Sequence, residues 1–410
     1  MTAKRGKIIN DPVHGFINIP SDIIHDIIEH PYFQRLRRIK QLGLTYYVYP
    51  GAIHTRFQHG LGAMHLMSSA IDVIRSKGHD ITEAEARAAR CAILLHDIGH
   101  GPFSHALEHT LIKGIRHEIL SEILMKKLDM EFGGALTTAI DIFTGRYKKK
   151  FLHQLVSGQL DMDRMDYLKR DSYFTGVSEG VIGSDRIIKM LNVVNDQLVV
   201  EQKGIYSIEN FLIARRLMFW QVYFHKTAIG AEKLLISILR RANDLVQQGE
   251  KLFCTPGLEY FLYNPEQERQ PENLEKIVDY FVLLDDNDIL ASVKAWAVHP
   301  DKILSLLSKN LLYRKLFRIE IQNSPYRKEK LQNIQSQIIS SLNLNKEEAR
   351  YFLISGEISN KTYTAADERI NIMLKTGELP DISEASDMLK IDMLAKEVKK
   401  YYLCYPKKIY

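Results

Sequence analysis

The sequence predicts a mainly α-helical protein with a smaller α+β region at its C-terminal end. Three observations carry that expectation. Apolar residues recur at three-and-four spacing through most of the first 240 positions, helix-capping residues stand at the offsets that start and stop such helices, and short β-forming runs begin only at Leu316.

Taken in order, Ala63, Leu66, Met67, Ala70, Val73 and Ile74 mark one helix face, and Gly78 is placed to end that helix. Thr82 with Glu85 three residues on is a capping box, and the alanine-rich run behind it leads to Leu94, Leu95 and His96. Gly99, Gly101 and Pro102 then break the helix, and Ser104 can cap the next one. A further helix is expected to carry Asp161 to Arg170, and a long one to run from Ile208 to Gln248. Beyond residue 250 the stretch NPEQERQPENLE reads as a polar surface connection, while LFRIEIQ, RINIML and KKYYLCYP read as strands. The expected division is residues 1–250 as one domain and 251–410 as the α+β region, serving assembly or regulation.

Composition narrows the function classes. The 410 residues are 45% apolar and 26% charged, an ordinary globular balance with no repeat or low-complexity tract. A net charge of +5 over 55 basic and 50 acidic side chains suits a protein that handles anions, but is too weak and too dispersed for a nucleic-acid surface. The best basic cluster, Arg146-Tyr147-Lys148-Lys149-Lys150, reads more simply as a solvated loop. Cys91, Cys254 and Cys404 are odd in number and widely spaced, which fits a reducing compartment. The basic start MTAKRGKIINDPVHG lacks an apolar core for a signal peptide, and no run approaches the ~20 apolar residues of a membrane helix. A cytoplasmic location without membrane contact is expected.

The chemistry concentrates in the histidines. Nine of the fifteen lie between His54 and His117, where an even spread would place about two, and histidine is both the commonest metal ligand and the usual proton carrier near neutral pH. Any one of them, such as His65 or His79, reads more simply as part of a helix face. The pair His96-Asp97 differs, because it follows the apolar run Ala92-Ile93-Leu94-Leu95 and precedes Gly-His-Gly-Pro. A carboxylate beside buried leucines is costly unless it is paired or bound to a metal.

The blocks RFQHGLG, LLHDIGHGPFSH and DMDRMDYLKRD resemble, in family order, the motifs of the HD-domain phosphohydrolases. NDPVHG, FQRLRRIKQLG, YYVYPGAIHTRFQH and HKTA extend the resemblance to the deoxynucleoside triphosphate triphosphohydrolase branch over residues 7–230, with a thinner echo at LLYRKLF. The resemblance implies an HD-domain helical core and a metal site of His59, His96, Asp97 and Asp163. Two imidazoles and two carboxylates suit Mn, Fe, Zn, Ni or Mg, and the sequence does not choose among them. Such an ion lowers the pKa of a bound water from 15.7 towards ~7.

Several further roles follow from the resemblance. Arg56, Arg164 and Arg215 match phosphate-contacting positions, for which a forked guanidinium is well suited. His105 and His117 match acid–base positions near the α-phosphate, with Glu108, where the family usually has Asp, orienting His117, and His100 supporting the site. Tyr167 and Asp171 share a helix face with Asp163 and match residues at the 3′-hydroxyl, while Gln41, Leu42 and Tyr223 match those around base and sugar. An apolar wall at C2′ would disfavour ribonucleotides. Phe219 stands where part of the family carries a phosphate-contacting histidine. The implied reaction is metal-assisted attack of hydroxide on the α-phosphorus, releasing deoxynucleoside and triphosphate.

The resemblance also implies a homo-oligomer, dimer or tetramer, and a guanine-nucleotide activator site at Lys7, Gln34, Arg37, Val48 and Arg314. Glu29 and Glu201 depart from the expected Asp and Arg there, which argues against activation by two nucleotides. Two other readings stay open on the residues alone. One is an HD phosphohydrolase of another nucleotide (monophosphate, cyclic or alarmone). The other is a nucleotide-sensing or nucleic-acid-binding protein without turnover, although no metal-ligand position is broken.

Overall fold

A computed structural model describes residues 6–103, 110, 115–264, 273–360, 369–387 and 398–407. The capping Ser104, the acid–base candidates His105 and Glu108, and most of the NPEQERQPENLE connection lie outside the described residues.

The chain opens with an antiparallel hairpin, β1 (Lys7–Asp11) and β2 (Gly15–Ile19), in which Ile9 faces Ile17. Asp11 Oδ1 accepts from the amides of Val13 and His14, which closes the turn, and Gly15 takes the positive φ of 75° that follows it. Helices α1 (Ile23–Glu29) and α2 (Pro31–Gln34) lead into 3₁₀ turns over Arg35–Arg38 and Gly43–Tyr47.

Two capped helices form the centre. In α3 (Arg56–Ser76) Gln58 returns its side chain to the Thr55 amide at 2.9 Å, and Gly78 follows the end of the helix at φ +90°. In α4 (Glu83–Leu95) the expected box is present: Glu85 accepts from the Thr82 amide at 2.9 Å, and the Glu85 amide donates to Thr82 Oγ1 at 3.2 Å. The Glu85 carboxylate is buried and also accepts from Tyr147 and Lys149, at 2.7 and 2.8 Å. The basic run is therefore partly structural: Arg146 pairs with Asp141 and Glu122, and Lys150 Nζ donates to the Gly145 carbonyl.

After α5 (His117–Glu131), α6 (Thr137–Phe143) and α7 (Lys150–Val156) comes α8 (Met162–Thr175), capped by Asp161 and stopped by Gly176 in the left-handed region. α3 lies between α4 and α8 and packs on both. α9 (Ser184–Met190) and the strands β3 (Leu191–Val194) and β4 (Gln197–Glu201) follow.

The long helix expected over Ile208–Gln248 is not continuous. It divides into α10 (Ile205–Met218), a π-helical turn at Phe219–Tyr223 and α11 (Lys226–Gln247), whose cap is the His225 side chain accepting from the Thr227 amide. The apolar spacing runs through the break, so it carries no sign of it. The extra residue of a π turn is tolerated where a side chain gains from being re-aimed, and here Tyr223 is turned onto a buried carboxylate of α8.

The remainder is the expected α+β mixture. Helices α12 (Pro256–Tyr263), α13 (Leu274–Phe281), α14 (Asp286–Trp296) and α15 (Lys302–Leu312) precede β5 (Arg318–Gln322). Then come α16 (Lys328–Leu342), α17 (Lys346–Ala349), β6 (Ile354–Asn360), β7 (Asn371–Met373), α18 (Ile382–Ala385) and β8 (Val398–Tyr405). β8 pairs antiparallel with β5 and β6, in the order β5-β8-β6, while β7 adds parallel to β4 to make a β3-β4-β7 sheet.

One buried arginine ties these parts to the central turn. Arg35, 1% exposed, donates to the carbonyls of Ile98 at 2.8 Å, His100 at 2.9 Å and Leu284 at 3.0 Å. Burial pulls its pKa down to about 9, still cationic at neutral pH. One side chain donates to three backbone carbonyls, two of them in the His-Asp turn, and so holds that turn's backbone in place.

Candidate active site

The His96-Asp97 pair sits where α4 ends and the chain turns sharply. Gly99 is required in that turn: a Cβ there would stand 2.3 Å from both the His117 carbonyl and the Ser121 amide of α5. Ser121 Oγ accepts from the Gly99 amide at 2.9 Å and donates to the His96 carbonyl at 2.8 Å, locking the start of α5 against the turn.

Three nitrogen and oxygen donors converge in front of it. His59 Nε2 from α3 is 3.3 Å from His96 Nε2 and 3.1 Å from Asp163 Oδ1 of α8, and the latter two atoms are 3.4 Å apart. Among the described residues, these three form a group able to hold a metal ion. Asp97 adjoins it, with Oδ1 3.3 Å from His96 Nε2 and Oδ2 3.8 Å from His59 Nε2. Metal–ligand bonds of ~2.0–2.1 Å place neighbouring ligands about 3.0–3.4 Å apart, so the donors are spaced as members of one coordination shell.

The imidazoles are also turned the right way. His59 Nδ1 bonds Asp166 Oδ2 at 2.8 Å and His96 Nδ1 bonds the Ile93 carbonyl at 2.6 Å, so each Nδ1–H is tied to a partner and each Nε2, the nitrogen that binds metal once it has lost its proton, faces the shared point. Burial disfavours charge on His59, yet Asp163 and Asp166 outweigh it and carry its pKa up to about 10. Burial likewise works against a charged His96, and Asp97 and Asp163 raise its pKa. Both carboxylates are held below the usual range despite burial, chiefly by the His96 ring. The pocket thus favours positive charge. The donor set fits a divalent cation.

Around this centre the expected residues fall into two groups. Arg56, at the first turn of α3, pairs with Asp97 Oδ2. His100 Nε2 lies 3.2 Å from Asp97 Oδ1, and its ring stacks on His117 at 3.9 Å between centroids. Burial, then Arg56, press the His100 pKa down to about 3, so this ring is neutral. His117 begins α5 and its side chain is 33% exposed, open enough to meet a ligand.

The second group lies along α8. Asp163, Tyr167 and Asp171 share one face of the helix. Tyr167 stands edge-on to Tyr223 at 6.2 Å, and burial raises its pKa to about 12. Tyr223 donates to Asp171 Oδ2 at 2.7 Å, and His54 Nε2 bonds Asp171 Oδ1 at the same distance. Arg164 pairs with Asp161, while the buried Arg215 reaches Gln159 at 3.1 Å. Among the described residues, the buried atoms Gln41 Oε1, Arg56 Nε and Arg215 Nε have no hydrogen-bond partner. Leu42 is half-buried beside the core.

Sequence reasoning missed the residues that hold these groups in place: Asp166 behind His59, His54 behind Asp171, and Gln159 beside Arg215. Asp166 had a signal, since it is the third aspartate of DMDRMD and stands four before Arg170. Gln159 had none.

Comparison with known proteins agrees with this geometry. The HD domain model matches residues 56–171, and the HD-associated region matches 182–252. The crystal structure of a phosphohydrolase from Bacteroides thetaiotaomicron superposes with a TM-score of 0.94 at 54% identity, covering 98% of this chain and all of that one. The chain belongs to the HD-domain phosphohydrolases. HD domains bind divalent metal ions, and His59, His96 and Asp163, all within the matched domain, form a group able to hold one. It is also 32% identical to the Bacillus subtilis protein YwfO, over 98% of this chain and 92% of the relative. The Dictyostelium discoideum deoxynucleoside triphosphate triphosphohydrolase SAMHD1 homolog is 34% identical over 61% of this chain, which spans about half (52%) of that protein. No helix among the described residues is long and apolar enough to cross a membrane.

Proposed function

We propose that this HD phosphohydrolase cleaves deoxynucleoside triphosphates into deoxynucleoside and triphosphate, using one divalent ion held by His59, His96, Asp97 and Asp163. The observation that carries the reading is a single helix face. Asp163 faces the metal point, and Tyr167 and Asp171 continue the same helix face towards Tyr223.

When bound, the ion supplies Lewis acidity and activates water. The chain's own residues do the rest. Arg56, Arg164 and Arg215 offer forked donors to the phosphate oxygens, and phosphoryl transfer depends chiefly on such positioning and charge. Arg215 is buried, which strengthens its field at the site. His117, partly exposed and stacked on His100, is placed to serve as the group that hands a proton to the departing 5′-oxygen; His105 and Glu108 belong to the same assignment. Asp171 has about four acceptor positions, of which Tyr223 and His54 use two. The remaining ones accept the 3′-hydroxyl. The tyrosine rings offer a 2′-hydroxyl no partner, which selects deoxyribose. Gln41 and Leu42 close the base side.

A guanine nucleotide is proposed as activator at Lys7, Gln34, Arg37, Val48 and Arg314, in a homo-oligomer assembled through or regulated by residues 251–410. In this structure Lys7 pairs with Glu29 at 3.1 Å, Arg37 donates to Gln34 at 2.8 Å, and Arg314 donates to the Tyr47 carbonyl at 3.0 Å, contacts that a bound nucleotide would have to share or replace. Glu201 is already paired with Lys77 at 2.7 Å, which argues against a second nucleotide there.

The test is product analysis with Mn²⁺ and each deoxynucleoside triphosphate, singly, mixed and with GTP, beside an Asp97→Ala control. Deoxynucleoside and intact triphosphate, absent from the control, support the proposal. Monophosphate or diphosphate products refute it in favour of another phosphohydrolase activity. Size-exclusion chromatography with and without GTP tests the assembly.

A further inference from the structure

The ring of a metal-binding histidine has two nitrogens, and the partner of one decides what the other can do. For His59 that partner is Asp166, which is fully buried. A buried carboxylate is stable only when its oxygens are satisfied and its charge is matched. Besides His59, Asp166 accepts from His14 Nε2 at 2.6 Å and from Arg170 Nε and Nη2, both at 2.9 Å.

Two of these supports trace to the N-terminal hairpin, some 150 residues away in sequence. His14 comes from the β1–β2 turn, with its side chain 2% exposed. Asp11, at the end of β1, takes the other edge of the Arg170 guanidinium through Nη1 at 2.7 Å and Nη2 at 3.3 Å. The same Asp11 carboxylate bends the turn by accepting from the His14 amide at 2.9 Å, so one residue both presents His14 and balances Arg170. α3 makes room for the pair. A Cβ at Gly62 would stand 2.0 Å from Asp166 Oδ1 and 2.2 Å from Arg170 Nη2.

We propose that the β1–β2 hairpin is a working part of the metal centre: His14 and Asp11 act through Asp166 and Arg170 as positioning residues that hold His59 with Nε2 towards the ion. The proposal rests on reading His59 as a metal ligand and does not depend on the substrate.

The experiment is a Mn²⁺ titration of the full-length protein followed by electron paramagnetic resonance, with metal-free melting temperature measured alongside. His59→Ala establishes that the site binds through His59. His14→Ala and Asp11→Asn are expected to weaken Mn²⁺ binding about 10- to 100-fold, the usual cost of losing a ligand's supporting partner. Glutamine at 14 returns a donor towards Asp166 and should recover most of the affinity. Phe16→Ala, on the exposed face of the same hairpin (Phe16 is 71% exposed), should leave it unchanged. Unchanged Mn²⁺ affinity in folded His14→Ala or Asp11→Asn, with only a lowered melting temperature, overturns the proposal. Should alanine at 14 prevent folding, Asp11→Asn decides the matter by the same readout. Failure of His59→Ala to weaken binding would instead overturn the ligand reading itself.

Discussion

Removing one oxygen atom, by Tyr223→Phe, tests whether the π turn exists to build the sugar site. The hydroxyl donates to Asp171 Oδ2 at 2.7 Å, and Asp171 is 1% exposed in this structure, so the lost donor faces little competition from bulk water. A hydrogen bond to a buried charged group contributes about 1.5–3 kcal/mol. His54 still bonds the other oxygen, so the carboxylate keeps one anchor and the lower part of that range applies to folding. If Asp171 receives the 3′-hydroxyl, the same loss appears at the transition state. At 1.36 kcal/mol per decade, about 1.5–3 kcal/mol lowers kcat/KM roughly 10- to 100-fold. The ring remains, so the preference for deoxyribo- over ribonucleotide should survive in Tyr223→Phe and fall in Tyr223→Ala. Steady-state release of deoxynucleoside by chromatography, with kcat and KM separated and dGTP compared with GTP as substrates, measures both effects. A phenylalanine variant with unaltered kcat/KM, together with an alanine variant that still discriminates, would refute the reasoning.

Other expected outcomes follow from the same contacts. Glu85→Gln should destabilise the protein by about 2–3 kcal/mol at pH 7, since burial opposes the charge but Lys149, the Thr82 amide and Tyr147 hold the carboxyl down to about 2. Because that pKa is depressed, the stabilisation is fully present above the unfolded value of 4.5 and is lost as pH falls through 2. Urea unfolding at pH 7 and pH 3 should therefore show wild type and variant converging in acid. Mn²⁺ affinity should rise with pH, because metal must displace the protons that Asp163 and Asp166 draw onto His59, whose pKa is raised to about 10; isothermal titration from pH 6 to pH 8 checks the sign. Saturating Mn²⁺ at 100 times its Kd should add about 2.7 kcal/mol of stability, and Asp163→Ala should abolish most of that shift in a thermal melt. Gly99→Ala should lower the melting temperature and metal affinity together, because its Cβ would meet backbone atoms of α5 at 2.3 Å that cannot swing aside.

How much of this was legible depended on the range of the physics involved. The capping box of Thr82 and Glu85, the glycine stop at Gly78, and the shared face of Asp163, Tyr167 and Asp171 are local, fixed by spacing along one helix. They read correctly from sequence. The π turn at Phe219–Tyr223 did not, because the apolar spacing runs through it unbroken and the carboxylate that Tyr223 meets there belongs to another helix. The basic run at Arg146–Lys150 was legible as a loop, but its tie to buried Glu85 needed two segments brought together.

By itself, then, the sequence determined the mainly helical class and the ends of its well-capped helices, since propensity, capping and apolar period act within a few residues of each other. The metal-site residues were implied by resemblance of motifs to a family. Only the tertiary structure decided which nitrogen of His59 faces the metal point, that Arg35 fastens the His-Asp turn, and that a hairpin at the N-terminus stands behind the centre. Those outcomes depend on directional hydrogen bonds and buried charge between distant segments, and no spacing along the chain encodes which segments will meet.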